Sequence, residues 1–339
     1  MKQTTIKDLA KETNLSISTV SRALHDHPNI AQSTKLKVAK AVKKLNYRPN
    51  RQAQNFRHGK SNMLGVIVPD LVTHFFSSAL TGMQAEATKH GYNLLICQSG
   101  ESFQSEVDKV ELMTSSQVDG LILSLAMETR HINHLKELSE SEVPFVLFDR
   151  IVEELNVSKI IVDEIEGAYI ATRHLLRNGY ERIAHIAGPK GLSVSQRRIK
   201  GYSDALREFG QDVKEEYIVH CNFDKDTAYQ ATSELISLPE PPDAIFAVND
   251  LVAASAMLAM KDSGIHIPQE MGLVGFNNEP IAEFLEPSLS TIEQPSIQIG
   301  ALAVREVISQ IKDPEHYTIQ DITLKTRLLE RNSSRGKRS

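Results

Sequence analysis

The chain has 339 residues, of which 41% are apolar and 24% charged, so it has the length for two or three folding units and a composition that excludes a disordered polymer. No apolar run reaches the ~18 residues of a membrane helix, Met1-Lys2-Gln3-Thr4-Thr5 lacks the apolar core of a secretory signal, and two cysteines, Cys97 and Cys221, are too few for a disulfide framework; the expectation is a cytoplasmic protein with no membrane partner. The net charge of −5 is unevenly spread: residues 1–60 carry 13 Lys+Arg against Asp8, Glu12 and Asp26, a local +10, and the remainder carries −15. A basic head on an acidic body points to a polyanion partner for the head alone.

The head reads as three short helices. Thr5 and Asp8 have the spacing of a capping box, and a first helix follows to about Thr13 with Ile6, Leu9 and Ala10 on one face. Asn14-Leu15 turns the chain, and Ser16 caps a second helix from Ile17 to about His25. Pro28-Asn29 interrupts the pattern before a third helix, about Gln32 to Asn46, with Val38, Val42 and Leu45 on its inner face. Residues 1–47 thus form one small helical core. A helix that enters the major groove needs short donors and an Arg in its first turns, and Ser16, Ser18, Thr19, Ser21 and Arg22 supply them. Val20 and Leu24 face the core; the spacing of Ile17 fits core packing and contact with a thymine methyl equally well.

Residues 48–62 are a connector in which Asn50 to Arg57 has room for two helical turns, too few to be stable alone. Gly59-Lys60-Ser61 is not a phosphate loop, because position 54 is Gln and a strand follows. From Leu64 short apolar runs alternate with helical stretches: Leu64–Val68, Leu94–Cys97, Leu121–Leu125, Phe145–Phe148, Ile160–Val162, Ile183–Ile186, Ile218–His220, Ala244–Val248 and Leu273–Gly275. Nine or more strands are more than one open sheet comfortably holds, so residues 63–330 are expected as two doubly wound parallel-sheet lobes with a cleft between them. Residues 331–339 read as a disordered basic tail. Asp149 and Arg150 stand just past the end of the Phe145–Phe148 strand, where such sheets bind ligands. No nucleophile elbow, zincin pair or dinucleotide turn occurs, and His131 and His134 have no third partner and read as solvated helix residues; no catalytic residue, metal or cofactor is expected.

Thr5-Ile6-Lys7-Asp8-Leu9-Ala10, Leu15 to Leu24 and Leu45-Asn46-Tyr47-Arg48-Pro49-Asn50 closely resemble the head of the LacI/GalR family of transcriptional regulators, and the strand-helix body matches the family over nearly the whole chain. The resemblance implies a homodimer that reads a near-palindromic operator, with a periplasmic-binding-protein-like body sensing a small molecule. It implies DNA contact at Thr5, Ser16, Ile17, Ser18, Thr19, Ser21 and Arg22, moving Ile17 toward the base-contact reading, and contact with the DNA backbone at Thr34, Tyr47 and Asn50. In the family the connector becomes a hinge helix on DNA. Ala53 falls within it, and Phe56 stands where a Leu wedge parts a base step.

In the body the resemblance implies effector contacts at Thr73, Phe75, Phe76, Asp149, Arg150, Arg198, Phe223, Asn249, Asn277 and Gln294. Phe75 is expected nearer the cleft than Phe76, and Arg197 is expected in solvent. Asn277 replaces the family's usual Asp, which suits a different donor pattern or an anionic group. No leucine-heptad segment follows the body, favouring a dimer. The expected function is a ligand-controlled repressor of carbohydrate-utilisation genes, with a sugar, sugar acid or sugar phosphate as effector. The alternatives are a soluble small-molecule binding protein and a regulator with a nucleobase effector.

Overall fold

A computed structural model describes residues 4–47, 61–141 and 143–336. Contacts divide the chain into two units, Met1–Ser61 and Asn62–Ser339. In the first, α1 (Ile6–Thr13), α2 (Ile17–Leu24) and α3 (Gln32–Lys44) surround a core of Leu9, Val20, Val38, Ala41 and Tyr47. The capping box at α1 is formed: the Asp8 carboxylate accepts from the Thr5 N–H at 2.8 Å, and the Asp8 N–H donates to the Thr5 hydroxyl. Ser16 caps α2 by accepting from the Thr19 N–H at 3.1 Å. The Thr4 hydroxyl donates to the Leu45 carbonyl at 3.0 Å and so ties the start of α1 to the end of α3.

The second unit contains two six-stranded sheets. The first lobe is built from β1 (Met63–Val68), β2 (Asn93–Gln98), β3 (Gly120–Leu123), β4 (Phe145–Phe148) and β5 (Ser158–Val162), with helices α4 (His74–Lys89), α5 (Phe103–Ser115) and α6 (Asn133–Glu140). The second lobe has α7 (Glu164–Arg177), β6 (Ile183–Ala187), α8 (Ser193–Glu208), β7 (Ile218–His220), α9 (Lys225–Ile236), β8 (Ala244–Ala247), α10 (Asp250–Asp262), β9 (Gly272–Asn277), α11 (Ile281–Phe284) and β10 (Ser290–Glu293). After β10 the chain returns to the first lobe with α12 (Ser296–Lys312) and β11 (Asp321–Leu324), then recrosses to β12 (Arg327–Leu329). The strand orders are β11-β5-β4-β3-β1-β2 and β12-β10-β9-β8-β6-β7. Among the described residues every neighbour pair is parallel except β10 with β12.

Each sheet is covered on both faces by apolar helices, which is why strands such as Val66–Val68 and Ala244–Ala247 are buried along their length. In the first lobe α12 lies so close to α4 that a Cβ on Gly82 would collide with the Ile297 carbonyl, and one on Gly300 with that of Ala79. β10, β11 and β12 lie outside the strands read from sequence. Their segments STIE, DITL and RLL are short and carry polar residues, because β11 and β12 are half-exposed edges. The expected disordered tail is also corrected for its first part. Residues 332–334 form a 3-10 turn with Ser333 and Ser334 buried, since the Ser333 hydroxyl bonds the Leu273 carbonyl at 2.7 Å and Arg331 bonds Asn278 and the Leu289 carbonyl.

Candidate functional site

On the head, Ser16, Ile17, Ser18 and Arg22 are exposed, Thr5 is exposed at the α1 cap, and Thr19, Ser21 and Thr34 are half-buried. Ile17 is 40% exposed whereas Val20 is fully buried. As the first residue of α2, it projects before the helix meets the core. Ser16 has a second duty, because its hydroxyl already bonds Thr19 Oγ1 and Ser18 Oγ, each at 2.8 Å. Tyr47 is packed into the head's core. Lys35 and Lys44 pair internally with Asp26 and Glu12, while Lys7, Lys11, Arg22, Lys37, Lys40 and Lys43 are exposed. Asn50, Ala53 and Phe56 lie outside the described residues.

In the second unit the candidate effector residues gather at the C-terminal ends of strands from both sheets, where helix N-termini and loops meet. Thr73 precedes α4, but its hydroxyl donates to Asp70 and does not cap the helix. Phe75 and Phe76 are both buried, edge to face at 5.2 Å. Phe76 meets the Arg150 guanidinium, 5.9 Å from its ring centre, and also rests on Phe148 in the core of the lobe. A step of roughly 100° per helical residue turns Phe76 toward the end of β4.

Arg150 reaches the other lobe, lying 5.6 Å from the ring of Phe223. Its Nη1 donates to Glu101 at 2.6 Å and to the Leu125 carbonyl at 3.4 Å. Asp149 accepts from the Ser124 hydroxyl at 3.4 Å. Burial pushes its carboxyl up to about 7, with Arg150 and Arg198 opposing and Glu164 reinforcing that rise. Arg198 is 3% exposed; its Nε donates to Glu164 at 2.6 Å, its Nη1 to the Val248 carbonyl, and its carbon centre lies 3.6 Å from the Phe276 ring centre. Asn249 caps α10 through the Val252 N–H at 2.8 Å. The Asn277 oxygen accepts from Gln294 Nε2 at 2.7 Å, which leaves the buried Gln294 Oε1 without a partner.

Backbone strain concentrates here. Asp149, Phe223 and Asn277 have φ of 59°, 63° and 107°, the left-handed region that side chains avoid. The Phe223 ring lies against Gly188, where a Cβ would collide with both the ring and the Ser195 hydroxyl, itself buried and unpartnered.

Beyond Arg150 and Phe223, the Ser193 hydroxyl donates to the Ile151 carbonyl at 3.5 Å across the lobes, and other contacts join them. The His74 N–H at the start of α4 donates to Glu279 at 3.3 Å, and Arg197, expected in solvent, pairs with Glu153. His134 is likewise not a solvated residue: it is buried, its Nε2 2.9 Å from the buried Glu106. Among the described residues no group of three or more His, Cys, Asp or Glu could hold a metal, and no helix is long and apolar enough to cross a membrane. Sequence reasoning missed Glu101, Glu164, Ser195 and Glu279. The three acids each follow a strand end, a position that could have marked them; Ser195, in the first turn of α8, carried no such signal.

Two family models match the chain: bacterial regulatory proteins of the lacI family over residues 5–50, and periplasmic binding proteins and sugar binding domain of the LacI family over residues 61–331. The ribose operon repressor of Halalkalibacterium halodurans is 34% identical, over 98% of both chains. The repressor PurR of Vibrio cholerae is 31% identical over 92% of this chain and 93% of its own. Among solved structures, a transcriptional regulator CelR in complex with cellobiose superposes with a TM-score of 0.75 at 26% identity, covering 98% of this chain and 100% of the other.

Proposed function

From the premise that this chain belongs to the LacI family of bacterial regulatory proteins, and so is a ligand-responsive DNA-binding repressor and not an enzyme, we propose that it acts in the cytoplasm as a homodimer controlled by a carbohydrate. The operator it reads is near-palindromic, with Ser16, Ile17, Ser18, Thr19, Ser21 and Arg22 at base edges, Thr5 beside them, and Thr34 and Asn50 on phosphates. Tyr47 serves that face from the core beneath it. Ala53 and Phe56 belong to the connector that meets the minor groove. A second copy is supported by apolar side chains on α10 and α11 that face solvent in one chain, Leu251, Ile281 and the 83% exposed Phe284.

The observation that carries the effector reading is the meeting of aromatic faces and directional polar groups from both lobes: Phe76 and Phe223 with Asp149, Arg150, Asn249, Asn277 and Gln294. Aromatic faces suit the apolar side of a sugar ring, and amides and carboxyls suit its hydroxyls. Relatives point the same way: one is a ribose operon repressor, and one solved structure holds cellobiose. A ligand touching both lobes favours one setting of them, and operator affinity is coupled to it by linkage. The test is calorimetry of the full chain with pentoses, hexoses, disaccharides and nucleobases, paired with a gel shift on its own upstream DNA. A carbohydrate should bind and change operator affinity ~5- to 150-fold. Binding of a nucleobase with no response to any carbohydrate overturns the reading.

A further inference from the structure

We propose that Glu101 is a positioning residue of the cleft: it holds the Arg150 guanidinium against Phe76 and Phe223, and effector affinity depends on it through Arg150. The proposal rests on the cleft being the effector site. A free arginine side chain spreads over many rotamers, and fixing one of them takes specific partners. Arg150 is 9% exposed and has three. Its Nη1 donates to Glu101 at 2.6 Å, the Phe76 ring of its own lobe lies 5.9 Å away, and the Phe223 ring of the other lobe lies 5.6 Å away. The rings attract the cation but let it slide and turn. The charged hydrogen bond is the directional partner, and it sets the plane and the edge of the fork. Nη1 is spent on Glu101 and, more weakly, on the Leu125 carbonyl at 3.4 Å, so among the described residues Nε and Nη2 stay open as donors. Glu101 thereby decides which edge of the guanidinium the cleft receives.

The acid nearest in sequence does not do this work, because the Asp149 carboxylate is 4.0 Å from Arg150 Nε, beyond hydrogen-bond reach. Glu101 is itself held in place. Gly100 and Glu101, just past the end of β2, both have φ of 64°, a left-handed turn that a glutamate enters only at a cost. The Glu101 Oε2 that binds Arg150 also accepts from the Met127 N–H at 2.7 Å, and the Glu101 carbonyl accepts from the Glu128 N–H at 3.3 Å. The Leu125 N–H in turn donates to the Arg150 carbonyl at 3.3 Å. One carboxylate thus joins the segments that follow β2, β3 and β4. The segment after β3 also carries Arg130, whose guanidinium lies over Gly191 of the other lobe, where a Cβ would come within 2.7 Å of it. Glu101 is therefore the fixed point from which two cations of the first lobe reach the second.

The experiment is a double-mutant cycle read by calorimetry on the full chain, with ribose, glucose, cellobiose and adenine as probes, and it is run on whichever probe the wild type binds most tightly. Glu101→Ala and Arg150→Met should each weaken that probe roughly tenfold or more, the scale of one hydrogen bond to a charged group. The double variant should bind no more weakly than Arg150→Met alone, because Glu101 acts through that arginine. Glu101→Gln keeps an oxygen for Nη1 and for the Met127 N–H and should stay within about threefold of the wild type. Glu101→Asp, one methylene too short, takes the place of the alanine variant should that one not fold. A merely structural Glu101 would weaken binding in the Arg150→Met background as well. Such an additive loss, or wild-type affinity in Glu101→Ala, overturns the proposal and leaves the carbohydrate site in place. Binding of adenine alone overturns the carbohydrate reading, and the same cycle run with adenine then decides the role of Glu101. Silence toward every probe overturns both.

Discussion

At Asp149 a carboxyl follows the last residue of β4 in a left-handed backbone, within the fields of Arg150, Arg198 and Glu164. Burial dominates and raises it from an ordinary 3.8 to about 7. Between those two values the folded chain holds a proton there that the unfolded chain has released. The contribution of this group to stability is thus full at the acid end, falls as pH rises through the window and is flat above about 7. Asp149→Asn removes the titration, so urea unfolding from pH 4 to 8 should show the variant gaining on the wild type up to about pH 7 and running parallel beyond it. A constant difference across the range would show that Asp149 ionises normally. Asp149 and Arg150 were legible from sequence because a strand end in an open α/β sheet is a known ligand position. Glu101 and Glu164 share that strand-end position, but their pairing was not legible, because an acid becomes the partner of a particular arginine only when the chain folds back over 49 and 34 residues.

At the scale of elements, the start of α4 joins the two lobes. Thr73 stands at its N-cap but turns its hydroxyl to Asp70, so the helix receives no cap from its own neighbours. Glu279 supplies one from the other lobe, and its own N–H is held at 2.6 Å by Asp250 in the first turn of α10. The carboxylate favours the positive end of the helix, a contact worth on the order of 1 kcal/mol. It exists only while the lobes are together, so it stabilises the closed setting against the open one. Glu279→Ala should speed amide hydrogen exchange at His74 and Phe75 in the full chain, whereas Glu279→Gln, which keeps an oxygen in place, should retain most of the protection. Equal exchange in all three proteins would show that α4 needs no cap from across the cleft. The existence and type of the helices around this contact were readable, since the helical stretches that separate the apolar runs in the sequence, residues 75–90 and 251–263, end within one residue of α4 and α10. The cap itself was not, because sequence places Thr73, a standard capping residue, directly before the helix and says nothing of its competing bond.

For the whole molecule, charge divides as the chain does, with +10 on residues 1–60 and −15 on the rest. Ion pairs engage Lys35 and Lys44, and six other described cations on each head are exposed and available for phosphates. If each head of a dimer neutralises about four, log K for the operator should fall against log salt with a slope of roughly −7. Gel shifts from 50 to 200 mM salt measure it, and a slope flatter than about −2 would show that the basic head is not a phosphate clamp. The acidic body adds a second effect: it repels DNA and confines binding to the head.

The sequence by itself determined the head almost residue by residue, because the capping box of α1, the Ser16 cap of α2, the apolar stripe and the turn residues are local and act within a few positions of each other. It also pointed to a body of two lobes, because nine apolar strands spaced by helices are more than one open sheet comfortably holds. Only the tertiary structure decided which aromatic meets Arg150, that β11 and β12 return to opposite sheets, and that both cleft arginines are already paired. Those outcomes depend on contacts between residues far apart in the chain. The same Arg is a ligand for an anion or a neutralised part of the wall according to where one distant carboxylate comes to rest.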